Sequence, residues 1–125
     1  MNLVDSSGWL EYFANGENAD FFSKPIEDTD SLIVPTISLY EVFKRILQQR
    51  DETEGLNAIA FMQSGKIVDL SSPIALHAAR ISAEQKMPMA DSILLATARE
   101  YNAILWTQDS DFEGLEDVEY IKPFT

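Results

Sequence analysis

Short runs of consecutive apolar residues alternate along this chain with longer stretches whose apolar positions recur at helical spacing. Runs of the first kind suit strands buried on both faces, and stretches of the second kind suit amphipathic helices. Residues 2–5 predict a strand leading into a helix from Ser6 to Asn15 that carries Trp9, Leu10, Tyr12 and Phe13. Asn15-Gly16 stops it, because both residues accept left-handed backbone geometry. A second short helix is expected from Ala19 to Ser23 with Phe21 and Phe22 turned inward, then a polar, turn-like run from Lys24 to Asp30. Ser31 to Pro35 predicts a buried strand closed by its proline. From Thr36 onward Ile37, Tyr40, Phe43 and Leu47 fall on one face of a helix. The polar patch Gln48 to Glu54 breaks that helix, which resumes from Gly55 to Gln63 and ends at Ser64-Gly65. Lys66 to Leu70 predicts a third strand, and Ser71-Ser72-Pro73 opens a helix to about Lys86, with proline in its first turn. After Met87-Pro88 an Ala- and Leu-rich helix runs from Met89 to Tyr101. Ala103 to Thr107 is the fourth strand, Gln108 to Leu115 a loop with one short turn, and Val118 to Ile121 the last strand. Short strands separated by helices place the chain in the α/β class, with a mostly parallel sheet of four to five strands.

Composition narrows the chemistry. A length of 125 residues with 46% hydrophobic and 24% charged residues describes one folded domain over residues 1–125. There is no cysteine and a single histidine, His77. That excludes thiolate and multi-histidine metal sites, so any metal must take oxygen ligands, as magnesium or manganese does. No apolar run approaches the roughly 18 residues that span a bilayer, and the N-terminus has no basic-then-apolar leader; no membrane association and a cytoplasmic location are expected. The net charge of −12 argues against a broad nucleic-acid surface built from lysine and arginine. It is compatible with a cleft whose metal supplies the positive charge, and with a basic partner protein.

Four acids stand at element boundaries: Asp5, Glu41, Asp91 and Asp109. Each has a local explanation. Asp5 and Asp109 can cap the helical turns that follow them. Glu41 lies three residues after Ser38, the spacing of a capping box. Asp91 falls in the first turn of its helix, where negative charge complements the dipole. Collectively they have another reading. A parallel sheet brings the C-terminal ends of its strands, and the helix N-termini that follow, to one edge. Four carboxylates converging there would raise one another's pKa unless a divalent cation offset the repulsion.

The segments Val4-Asp5-Ser6-Ser7, Pro35 to Val42, Met89 to Ala98 and Leu105 to Phe112 resemble, in this order and over the whole chain, the four acidic motifs of PIN-domain ribonucleases. Among these the chain is most similar to the VapC toxins of prokaryotic toxin–antitoxin pairs. The resemblance implies a PIN-like three-layer α/β/α sandwich and catalytic roles for Asp5, Glu41, Asp91 and Asp109. It implies Mg2+ or Mn2+ held by Asp5 and Asp91, with Asp109 contributing directly or through water and Glu41 orienting the attacking water. Ser6 and Thr107 match small hydroxyl positions that support the acids, while Asp111 is a further acid with either a solvated or a supporting role. It also implies hydrolysis of an RNA phosphodiester, a cognate VapB-like antitoxin and a homodimer. Lys44 and Arg45, one turn after Glu41, form either an intrahelical ion pair with it or a phosphate contact. Two rivals stand beside this reading. One is a phosphoacceptor receiver domain, suggested by Asp5 and by Ile121-Lys122-Pro123-Phe124; the other is a PIN fold that binds without catalysis.

Overall fold

The computed structural model describes residues 1–124. Five strands form one parallel sheet: β1 (Asn2–Val4), β2 (Leu32–Pro35), β3 (Lys66–Val68), β4 (Ile104–Thr107) and β5 (Val118–Tyr120). Their spatial order is β3-β2-β1-β4-β5. The helices are α1 (Ser6–Phe13), α2 (Ala19–Glu27), α3 (Thr36–Gln49), α4 (Glu52–Met62), α5 (Ser72–Gln85) and α6 (Met89–Glu100), with 3₁₀ turns at Thr29–Ser31 and Ser110–Phe112. The sheet is wholly parallel among the described residues, where the sequence pattern predicted a mostly parallel one.

Alternation along the strands divides the interior into two apolar layers, because successive side chains of a strand point to opposite faces. Leu3, Ile33 and Leu105 pack toward α5 and α6 with Ile74, Ile81, Leu94 and Leu95. Val4, Leu32 and Val34 face the other way, onto Trp9, Phe22, Ile26, Val42 and Met62 of α1 to α4. The result is the expected three-layer sandwich. Leu3, Leu105, Val4 and Leu32 are almost wholly enclosed, and each such side chain contributes about 1.5–3 kcal/mol by leaving water. Helix α6 is buried continuously from Ser92 to Ala98, directly after Asp91.

Three local expectations change. Helix α2 runs four residues past Ser23 and contains Pro25. Proline removes a helical donor there, but Pro25 and Ile26 are both buried, and packing overrides the propensity. Helix α4 begins at Glu52 instead of Gly55, capped by the Asp51 carboxylate, which accepts the Glu54 N–H at 2.8 Å. The Ile37–Tyr40–Phe43–Leu47 face of α3 is not its inward face: Tyr40 and Leu47 are exposed, whereas Ser38 and Val42 are buried. Outside the helices, the strand order is also decisive. The order 3-2-1-4-5 reverses direction between β1 and β4, unlike the 2-1-3-4-5 order of receiver-like sheets; this removes the receiver reading.

Candidate active site

Ligands of open parallel sheets bind beyond the strand C-termini where the strand order reverses. In this chain that switch point lies between β1 and β4. Asp5 follows β1 directly, and its N–H donates to the Trp106 carbonyl at 3.1 Å, extending the β1–β4 pairing by one residue. The same register sets Asp5 beside Thr107 at the end of β4.

Asp5 is 3% exposed and is gripped by three donors. The Gly8 N–H reaches Oδ1 at 2.9 Å, the Ser7 hydroxyl reaches Oδ1 at 2.8 Å, and the Thr107 hydroxyl reaches Oδ2 at 2.6 Å. A carboxylate offers about four lone-pair directions, so one remains for a further partner. Gly8 must be glycine for this grip: a Cβ would lie 2.6 Å from Phe22 and 2.7 Å from Val4. Asp5 therefore caps α1 and sits at the switch point at once, and its two readings are not alternatives. Ser7, part of the first motif but not expected to support its acid, completes the grip.

Asp91 is the third residue of α6 and is half-buried. Asp109 and Asp111 lie on the turn after β4, pinned by the fully buried Phe112. The Thr107 hydroxyl accepts the Asp109 N–H at 2.9 Å, and Asp109 Oδ1 accepts the Asp111 N–H at 2.9 Å. One carboxylate oxygen from each of Asp91, Asp109 and Asp111 lies within 4.8 Å of the others. Asp111 is thus drawn into the cluster, although its place in a polar loop left its role open in the sequence. Asp5 joins them electrostatically.

Glu41 is arranged differently. Helix α3 has Pro35 at its N-cap and no side-chain capping bond, and the Ser38 hydroxyl is buried without a partner. The capping box suggested by Ser38 and Glu41 does not form. Glu41 Oε1 instead accepts the Ser6 hydroxyl at 2.5 Å, across from α1. Nor does Glu41 pair with Lys44 or Arg45, both of which are exposed; the Lys44 ammonium sits 5.6 Å from the Tyr40 ring centroid.

The electrostatics follow from this crowding. Burial pushes the Asp5 carboxyl up to about 6, against the opposing hydrogen bonds from Thr107, Gly8 and Ser7, with a further push from Asp109. Burial also raises Asp91, to about 7, aided by the charge of Asp109, by hydrogen bonding and charge from Asp111, and by the charge of Asp5. No basic side chain forms an ion pair with these acids among the described residues, where the single ion pair is Arg50–Glu54 at 3.5 Å. The convergent carboxylate oxygens of Asp91, Asp109 and Asp111 fit a magnesium- or manganese-sized cation, and Asp5 lies near enough to feel the charge of Asp109.

The PIN-domain family model matches residues 3–118. The chain belongs to the PIN-domain family. Its fold is that of solved toxin–antitoxin proteins. It aligns with a toxin–antitoxin complex from Klebsiella pneumoniae at TM-score 0.78 and 23% identity, covering 95% of this chain and 96% of that one. It aligns with VapC20 of Mycobacterium tuberculosis, a sarcin–ricin-loop-cleaving toxin, at TM-score 0.77 and 13% identity, covering 94% and 98%. A DNA-bound VapBC from Salmonella typhimurium gives TM-score 0.75 and 15% identity, with 98% of each chain covered. No curated protein sequence matches the chain. No helix among the described residues is long and apolar enough to cross a membrane.

Proposed function

We propose that this PIN domain is a Mg2+- or Mn2+-dependent endoribonuclease and the toxin of a VapBC-type pair. The observation that carries the reading is an acid cluster at the β1–β4 reversal, with Asp5 buried, the Asp5 and Asp91 carboxyls raised and no basic partner. Such a cluster is costly by itself, and a divalent cation offsets that cost. Asp5, through its spare lone pair, and Asp91 and Asp109 are the residues to hold the cation, with Asp111 hydrogen-bonded beside them. A cation bound there supplies a water of lowered pKa and neutralises charge on the scissile phosphate.

The chain's own groups do the rest. Thr107 and Ser7 hold Asp5 in place at the switch point. Ser6 fixes Glu41 by Oε1, which leaves Oε2 to orient an attacking water and take its proton. Lys44 and Arg45, exposed on α3 one turn beyond Glu41, are placed to meet substrate phosphates. The charge of −12 restricts non-specific RNA binding, which suits a narrow target. The acid excess and the toxin–antitoxin neighbours support a cognate antitoxin with a basic segment as the inhibitor, acting on a homodimeric toxin.

The test is cleavage of a mixed RNA pool by antitoxin-free protein with Mg2+ or Mn2+, beside Asp5→Asn and Asp91→Asn. Metal-dependent cutting that falls on the order of a thousandfold in both variants is expected, the scale of losing electrostatic stabilisation of the transition state. Cutting retained by both variants would place the activity elsewhere.

A further inference from the structure

A residue outside the four acidic motifs, at the start of α2, bonds to Gln108 within the fourth motif. Asn18 stands at the N-cap of α2, where an asparagine side chain ordinarily caps the first turn, yet it makes no capping bond. Its Nδ2 donates instead to Gln108 Oε1 at 2.9 Å and to the Lys122 carbonyl at 3.1 Å. Asn18 is 7% exposed, and its backbone N–H donates to Glu11 Oε2 at 2.8 Å. Gly16 makes room for that carboxylate, since a Cβ there would lie 2.5 Å from Glu11 Cδ. The α1–α2 turn is built around Glu11 so that the Asn18 amide points at the end of β4.

Gln108 lies between Thr107, which grips Asp5, and Asp109. Its Oε1 accepts from Asn18, and its Nε2 makes a long contact of 3.4 Å with the Ser7 carbonyl. Ser7 in turn donates to Asp5. Asn18 and Gln108 are therefore joined to the backbone of Ser7, the residue whose hydroxyl supports the central carboxylate. The same Gln108 side chain anchors the turn that carries Asp109 and Asp111. Asn18 leaves α2 without a side-chain cap, while its bond to Gln108 serves the opposite end of the chain.

We propose that Asn18 is a positioning residue for the acid cluster: acting through Gln108, it fixes the Thr107–Asp109 turn and hence the aim of Asp109 relative to Asp5 and Asp91. Its catalytic consequence rests on the nuclease reading; the positioning itself does not.

The test compares Asn18→Ala, Gln108→Ala and the double variant by three readouts. These are hydrogen exchange of the Asp109 amide in metal-free protein, Mn2+ affinity by calorimetry, and kcat and KM for RNA cleavage. Asn18→Ala is expected to speed Asp109 exchange and to weaken Mn2+ about tenfold, as loss of a group that orients metal ligands does. It should lower kcat with KM unchanged, and the double variant should be no worse than Gln108→Ala alone. Effects of the two substitutions that add, or an Asn18→Ala variant altered only in unfolding temperature, would overturn the proposal and leave Asn18 as a staple for the Lys122 segment. Should Asn18→Ala fail to fold, Gln108→Ala carries the test, and unchanged Asp109 exchange in it would be equally fatal. Wild-type protein that neither binds Mn2+ nor cuts RNA would sink the nuclease reading alone, with Asp109 exchange still deciding the positioning.

Discussion

The fold leaves side chains without counterparts in two places, and it treats them in opposite ways. At the C-terminal rim of the sheet, Asp5, Asp91, Asp109 and Asp111 gather with no ion-pair partner. The supports of Asp5 and its neighbours are nonetheless directional: two hydroxyls and an N–H on Asp5, the Thr107 hydroxyl under the Asp109 N–H, Ser6 on Glu41. On the outer faces of α3 and α4, Tyr40, Leu47 and Leu56 stand 60%, 42% and 54% exposed, with no hydrogen bond to hold them. The contrast follows from the forces involved. Charge held in a poorly solvated place is tolerable only in one geometry, so its neighbours must be fixed in angle and distance. Apolar surface has no preferred direction and needs no such scaffold. The rim is built for particular atoms, and the α3–α4 face is not.

The sharpest way to expose the difference is pH. In the unfolded chain Asp5 titrates at 3.8, and in the folded protein at about 6, with Asp91 raised to about 7. The metal-free fold thus keeps protons that the unfolded chain has released. The associated stability is fully present below about pH 4 and is lost as pH climbs through 6 and 7. For the enclosed Asp5 the shift corresponds to about 3 kcal/mol. Denaturant midpoints of metal-free protein are expected to fall between pH 5 and 8. Asp5→Asn should flatten that fall and be the more stable form at pH 8, and Mn2+ should stabilise only the wild type there. A wild type with the same midpoint at both ends of the range would show that the rim carries no electrostatic cost.

Next in size are the supporting hydroxyls. Thr107→Val keeps the shape but removes the donor to Asp5 and the acceptor for the Asp109 N–H. Mn2+ affinity should drop ten- to a hundredfold by calorimetry. Ser6→Ala frees Glu41 without touching Asp5, so kcat should fall while Mn2+ affinity holds. Equal effects of the two on metal binding would erase the distinction between holding the cation and orienting water. The smallest effect belongs to the other region: Leu56→Lys should change stability by no more than about 0.5 kcal/mol and leave Mn2+ affinity unchanged. A larger loss would mean that this face is held more firmly than its exposure indicates.

Much of this was legible in the residues themselves. Buried runs such as Leu32 to Pro35 marked the strands, and Asp5, Asp91 and Asp109 sit where parallel-sheet geometry predicted. What stayed hidden has a common cause: local signals with two physical meanings. Ser38 and Glu41 have capping-box spacing, but Glu41 turns to a Ser6 that lies far away in sequence. Asn18 has the residue type and place of an N-cap, yet its amide is spent on Gln108. The helical period in α3 marked an apolar face without saying that the sheet would take Val42 and leave Tyr40 outside. Pro25 should have ended α2 by propensity, and only the long-range burial of Ile26 explains why the helix continues. Asp111 shared a loop with solvated acids until the buried Phe112 pinned it beside Asp91.

The most direct test of the central claim, that the rim is a cation site assembled from carboxyls of raised pKa, is proton release on Mn2+ binding. It is measured by calorimetry of the antitoxin-free protein in buffers of different ionisation enthalpy. With Asp5 near 6 and Asp91 near 7, Mn2+ should bind at pH 6.5 with release of about one proton per chain, because ligands must deprotonate to bind metal. The release should shrink toward zero at pH 8, and binding should be lost in Asp91→Asn. Mn2+ that binds without displacing protons at pH 6.5, or equally well to Asp91→Asn, would contradict the account.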